Sequence, residues 1–115
     1  MGNQIYYTTA RGNSEVKDFI EELDAKATKG NVRAKYDVEQ ITYAMERIKD
    51  GPPHMGPLRG GVKELRPGRW RIIYFEWEGS IVLLTCFRKE TNQTPDHEID
   101  RAISRKKDWM NRHDN

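Results

Sequence analysis

The stretch from Val62 to Phe87 restricts this chain more than any other. Val62–Arg66, Arg69–Trp77 and Ser80–Phe87 are rich in β-branched and aromatic residues, and only Pro67-Gly68 and Glu78-Gly79 separate them. Loops that short join strands that are neighbours in a sheet, so the spacing predicts a three-strand antiparallel meander. A chain of 115 residues has room for one core. The expectation is a single domain over residues 1–115 built on this meander.

The flanks supply one further strand and three helices. Ile5-Tyr6-Tyr7-Thr8-Thr9 reads as an opening strand. Ser14 is a helix cap with Glu15 and Asp18 in the first turn, where the helix dipole favours acids. Val16, Phe19, Ile20, Leu23 and Ala27 then recur at helical spacing until Gly30 stops the helix. A second helix runs from about Asn31 on the stripe Ala34, Val38, Ile41, Met45 and Ile48, ending at Asp50-Gly51-Pro52-Pro53. These two helices are expected to form an antiparallel hairpin.

Residues 51–61 carry four glycines and three prolines, too punctuated for a regular element, and serve either as a functional loop or as a plain connector. Near the C-terminus Thr94 is the expected cap and Pro95 the first residue of a third helix, whose apolar stripe is Ile99, Ala102, Ile103 and Met110. The order is β-α-α-β-β-β-α. It indicates the α+β class, with helices on one side of a small, mainly antiparallel sheet.

Composition narrows the function classes. With 36% hydrophobic and 33% charged residues, the chain has a small core and a heavily charged surface. Net charge is only +2, but it is unevenly spread: residues 1–57 hold 8 Lys and Arg against 9 acids, and residues 58–115 hold 12 against 9. Cys86 is the one cysteine and lies inside the apolar run Ile81–Phe87, which fits a buried thiol in a reducing compartment. No basic segment followed by an apolar one opens the chain, and no apolar stretch approaches the roughly 20 residues that span a bilayer. A cytoplasmic location is expected, with no membrane contact.

His54, His97 and His113 stand apart without metal-ligand spacing, so neither a metal nor another cofactor is expected. Gly60-Gly61 precedes a strand rather than a helix, unlike a phosphate loop.

The chemistry-bearing residues cluster in the meander. With Pro67-Gly68 as a two-residue loop, Arg66 faces Arg69 and Glu64 faces Arg71, and alternation puts all four on one face. One reading is a surface salt-bridge cluster. The other is a phosphate site: three guanidiniums around one carboxylate leave net positive charge, and Arg88 and Lys89 at the end of the next strand add more. Arginine's planar fork matches phosphate oxygens, and its permanent charge stabilises a dianionic transition state. Trp70 is either a core aromatic or a platform for a base. Lys106 and Lys107, with Arg112, are either an RNA-contacting patch or a solvated helix face.

Glu64-Leu65-Arg66, Arg69-Trp70-Arg71-Ile72-Ile73-Tyr74-Phe75, Ile81-Val82-Leu83-Leu84, Phe87-Arg88-Lys89-Glu90-Thr91 and Gln93-Thr94-Pro95, in this order and spacing, resemble the RelE/ParE superfamily of type II toxins, in its phage-derived, HigB-like branch. The resemblance implies an mRNA interferase, an endoribonuclease that cuts mRNA in the ribosomal A site by metal-independent 2′-hydroxyl attack. Its implied partners are the 16S rRNA and a cognate antitoxin, often of helix-turn-helix type.

Carried over by position, Arg71 matches the family's phosphate-contacting arginine, and Arg66 and Lys89 match its other catalytic cations. Glu64 stands where RelE itself has a lysine, and would act as general base or orient Arg71. Arg69, Trp70, Arg88, Lys106 and Lys107 would contact RNA. RelE's late tyrosine has no counterpart here, which leaves His97 as the nearest candidate for the general acid. Two alternatives share the fold: a ParE-like gyrase inhibitor that cleaves no RNA, and an inactive relative that only binds its antitoxin.

Overall fold

The computed structural model describes residues 4–48 and 55–113. Its elements run β1 (Gln4–Tyr6), α1 (Glu15–Thr28), α2 (Val32–Glu46), β2 (Met55–Pro57), a 3₁₀ turn (Arg59–Gly61), β3 (Lys63–Leu65), β4 (Trp70–Trp77), β5 (Ser80–Arg88) and α3 (Asp96–His113). One five-stranded sheet has the order β1-β5-β4-β3-β2, with β1 parallel to β5 and every other pair antiparallel. Among the described residues no helix is long and apolar enough to cross a membrane.

The helical hairpin follows from its caps. Ser14 accepts the Lys17 N–H at 3.2 Å and Asn31 accepts the Ala34 N–H at 2.9 Å, each satisfying a donor left free in a first turn. Between the helices, Gly30 at φ +96° donates to the Ala27 carbonyl and Asn31 donates to that of Lys26. This pair of bonds closes α1 in a left-handed C-cap that favours glycine. α2 ends at Glu46, short of the expected stop, so Ile48 lies beyond the helix; the expected stop at Asp50–Pro53 falls outside the described residues.

Two expectations are corrected here. Residues 51–61 are not all irregular: Met55–Pro57 forms β2, with Gly56 opposite Glu64. Three residues containing Gly and Pro give no periodicity to read, and an edge strand is where sheets tolerate proline. The helices also lie on both faces of the sheet, not one.

Val16, Ile41, Ala44, Leu65, Ile72, Tyr74 and Leu83 form a core under α1 and α2. Val62, Ile73, Phe75, Val82, Leu84, Ile99, Ala102 and Trp109 form a second core under α3. Strands covered on both sides are apolar on both sides, which is why Ile81–Cys86 is an unbroken buried run. On α3 it is Trp109 that is fully packed, while Met110 sits at the margin.

Hairpin turns set the register. Glu78 (φ 48°) and Gly79 (φ 80°) form the two-residue turn between β4 and β5, with Trp77 opposite Ser80. Both central residues have positive φ, the type I′ pattern whose twist matches a hairpin. The turn between β3 and β4 is displaced by one residue from the expected Pro67-Gly68. Its central pair is Gly68-Arg69, closed by the Trp70 N–H on the Pro67 carbonyl at 3.0 Å.

Gly68 has φ +58°, the left-handed value a tight hairpin wants at its first central position. Proline, locked near −65°, cannot take it. Glu64 therefore pairs with Ile73 and Leu65 with Ile72, a register two residues from the one expected.

Candidate active site

A two-residue register change preserves parity, so side chains keep their face. Glu64, Arg66 and Arg71 consequently share the face that carries α3, and continuing the register sets Arg66 across from Arg71. At the far end of β5 the Lys89 N–H donates to the Arg69 carbonyl at 2.7 Å, prolonging the ladder by one pair beyond Arg88, so that Lys89 follows Phe87, the partner of Arg71, on the cleft face. Arg66, Arg71, Lys89 and Glu64 together line a cleft of about 290 Å³. Its rear wall is Leu58 and Phe87, and its rim is the loop from Glu90 to Pro95. The four residues expected to form the catalytic set are in one place.

Their partners differ. The Glu64 side chain is only 5% exposed and both its oxygens are engaged. Oε1 accepts from Arg66 Nε at 3.2 Å, and Oε2 accepts a short hydrogen bond from the Thr94 hydroxyl. Thr94 thus spends its hydroxyl on Glu64 instead of capping α3, which begins at Asp96 behind the Pro95 carbonyl.

Arg71 is held by the turn: Nη1 donates to the carbonyls of Gly68 (2.9 Å) and Trp70 (2.6 Å). Burial holds its pKa below the ordinary arginine value; Glu64 opposes that shift and Arg66 adds to it. Among the described residues neither Arg71 nor the Lys89 ammonium has a carboxylate within ion-pair distance. Two cations without an ion-paired carboxylate, beside a third that pairs with Glu64, leave positive charge in the cleft that the two acids of its lining, Glu64 and Glu90, do not fully offset.

The remaining expected residues lie elsewhere. Arg69 does not join the Glu64 face; it is in the turn, and its Nη2 donates to buried Asp37 of α2 at 2.7 Å. Trp70 points to the same side, its ring 4.5 Å from that of Phe19. Arg88 pairs with Trp70 across the ladder, on the face away from the cleft. Lys106 donates to the Gly60 carbonyl at 3.1 Å, with its ammonium over the Phe75 ring. Lys107 is on the exposed surface of α3. His97, 78% exposed and 3.5 Å from Glu98, lies outside the cleft lining.

Sequence reasoning missed Glu90, Asn92 and Gln93 on the rim, although they directly follow Lys89, and gave Thr94 a different partner. Among the described residues no three His, Cys, Asp or Glu side chains are grouped as a metal ion requires.

The model of the phage-derived protein Gp49-like family matches residues 18–107. That span takes in most of α1, all of α2, the whole cleft and most of α3. The chain belongs to this Gp49-like family, a RelE/HigB-like toxin family. It is also 37% identical over 57 residues to the "Probable endoribonuclease HigB1" of two Mycobacterium tuberculosis strains, CDC 1551 / Oshkosh and ATCC 25618 / H37Rv. The match covers 46% of this chain and 46% of that protein, so the Gp49-like chain aligns with less than half the length of these relatives.

Proposed function

We propose that this Gp49-like protein is the toxin of a toxin–antitoxin pair, an endoribonuclease that cuts mRNA in the ribosomal A site and is neutralised by a cognate antitoxin. The observation that carries the reading is the convergence of Arg66, Arg71 and Lys89 on one cleft, two of them without a carboxylate partner. The similarity to a probable endoribonuclease supports it.

In this reading the scissile phosphate sits between Arg71 and Lys89, with Arg66 on its flank. The 2′-oxygen attacks phosphorus, the P–O5′ bond breaks, and the products are a 2′,3′-cyclic phosphate and a 5′-hydroxyl. Charge building on the phosphoryl oxygens is met by guanidiniums already fixed by turn carbonyls and by Glu64, so little reorganisation accompanies the step. No metal is needed to neutralise that charge. Glu64, with both oxygens hydrogen-bonded, serves chiefly to anchor Arg66. Among the described residues no histidine lines the cleft, and in this reading the proton transfers fall largely to groups of the ribosome, which makes cleavage ribosome-dependent.

The test is expression of Arg71→Ala beside the wild type. Wild-type induction is expected to stop growth and give discrete mRNA cuts by primer extension. Arg71→Ala is expected to do neither while remaining folded and antitoxin-bound. Undiminished toxicity of Arg71→Ala refutes the assignment, and intact mRNA accompanied by DNA damage replaces it with gyrase inhibition.

A further inference from the structure

We propose that Gly56 is a positioning residue for Arg66: the side chain missing at this position is the seat of the Arg66 guanidinium. For its effect on catalysis the inference rests on the nuclease reading above. For its effect on Arg66 it rests on geometry alone.

Gly56 is buried in edge strand β2, directly opposite Glu64. Residues that face each other across an antiparallel ladder project to the same side, so a side chain at position 56 would enter the Glu64 face. A Cβ built there would overlap Arg66 Nη2 and lie 3.0 Å from Arg66 Cζ. The guanidinium therefore spans from Glu64 Oε1, which it reaches through Nε at 3.2 Å, to the bare backbone of β2.

The backbone itself gives no reason for glycine. Gly12, Gly30, Gly60, Gly61, Gly68 and Gly79, the other described glycines, all have positive φ, and Gly56 does not. Each of the six answers to a conformation that L-residues avoid. Position 56 has a conformation open to any residue, so what excludes a side chain is Arg66.

The consequence separates function from folding. An alanine methyl at position 56 meets the tip of a flexible arginine that is 47% exposed, so the guanidinium moves and the fold does not. Once moved, Arg66 loses its bond to Glu64 and its place on the cleft wall.

The test compares wild type, G56A, R66A and G56A/R66A as full-length proteins in three measurements: RNA cleavage, thermal melting, and the ¹⁵N–¹H resonance of the Arg66 Nε. G56A is expected to melt with the wild type, to shift or broaden that resonance, and to lose roughly tenfold or more in kcat, as displacement of a reacting-site group by about an ångström does. In the R66A background the same substitution is expected to change kcat by less than about twofold, because the group it acts through is gone.

Equal losses from G56A in both backgrounds, or an unmoved resonance with unchanged cleavage, overturn the proposal. If G56A folds poorly, R66A must restore its melting temperature. A double variant as unstable as G56A alone assigns the glycine to the backbone and overturns the proposal too. A resonance that shifts in G56A while the wild type cuts no RNA leaves the positioning role standing and refutes the nuclease reading.

Discussion

Arg69 Nη2 donates to Asp37 Oδ2 at 2.7 Å, across the sheet face opposite the cleft. Arg71, two residues later in the chain, turns to the cleft and donates to the carbonyls of Gly68 and Trp70. The basic hairpin is thereby divided between an arginine paired with a buried carboxylate and one that lines the cleft. The Asp37 side chain is 3% exposed and that of Arg69 28%. Removing the arginine leaves a carboxylate in the interior with its charge unmet. Arg69→Ala is accordingly expected to cost roughly 2–3 kcal/mol, below the usual cost of breaking a fully buried pair because Arg69 is partly solvated. Arg71→Ala is expected to cost little stability. Urea unfolding of the two variants checks this, and equal midpoints would refute the division of roles.

That division also shows what the sequence could reveal. Ser14, Asn31 and Gly30 act locally, through hydrogen bonds to neighbours three to five residues away, so the helical hairpin was readable from them. The parity of Glu64, Arg66 and Arg71 was readable as well, because it survives an error of two residues in register. The position of Arg69 was not, since it depended on whether Pro67 or Gly68 opened the turn, and φ at one residue decided it. β2 and the Thr94–Glu64 bond were also hidden: each depends on contacts with distant residues that leave no mark on local periodicity. The unbroken apolar run of Ile81–Cys86 did carry a signal of two covered faces, which the expectation of helices on one side overlooked.

Three cations on one cleft give binding a measurable salt dependence. Single-stranded RNA contacted by Arg66, Arg71 and Lys89 is expected to show a slope of about −2 in log K against log salt, near −0.7 per neutralised phosphate. Lys89→Ala is expected to reduce the slope by about 0.7. Fluorescence anisotropy with a short uncleavable 2′-deoxy-substituted strand across a salt series measures both. A slope near zero would remove the cleft from RNA binding.

Thr94 joins the rim loop to the buried carboxylate. Thr94→Val keeps the shape and removes the hydroxyl that donates to Glu64 Oε2. A buried acceptor that loses one partner is expected to cost about 1–3 kcal/mol, and Glu64 is then free to turn away from Arg66. Stability and cleavage should therefore both fall in Thr94→Val and both return in Thr94→Ser, which restores the donor. Equal behaviour of the Val and Ser variants in melting and cleavage assays would show that the hydroxyl is dispensable.

Alkaline pH acts on the core under α1 and α2. Burial pushes the Cys86 thiol up to about 12 from its ordinary 9.0, and Tyr74, buried and near Glu76, up to about 12 from 10.0. Both groups are neutral when protonated, so the native state holds protons that the unfolded chain releases. Below pH 9 the two states bind the same number and these groups contribute no pH dependence. Above pH 9 the unfolded chain gives up the Cys86 proton, and above pH 10 that of Tyr74. Stability then falls by up to about 1.4 kcal/mol per pH unit for each group until the native state ionises near pH 12. Unfolding midpoints measured from pH 8 to 11.5 should decline, and less steeply in Cys86→Ala than in the wild type. The native thiol should also resist alkylation at pH 8 and react at the rate of unfolding. Rapid labelling of the folded protein, or a flat stability profile above pH 9, would contradict the burial of Cys86.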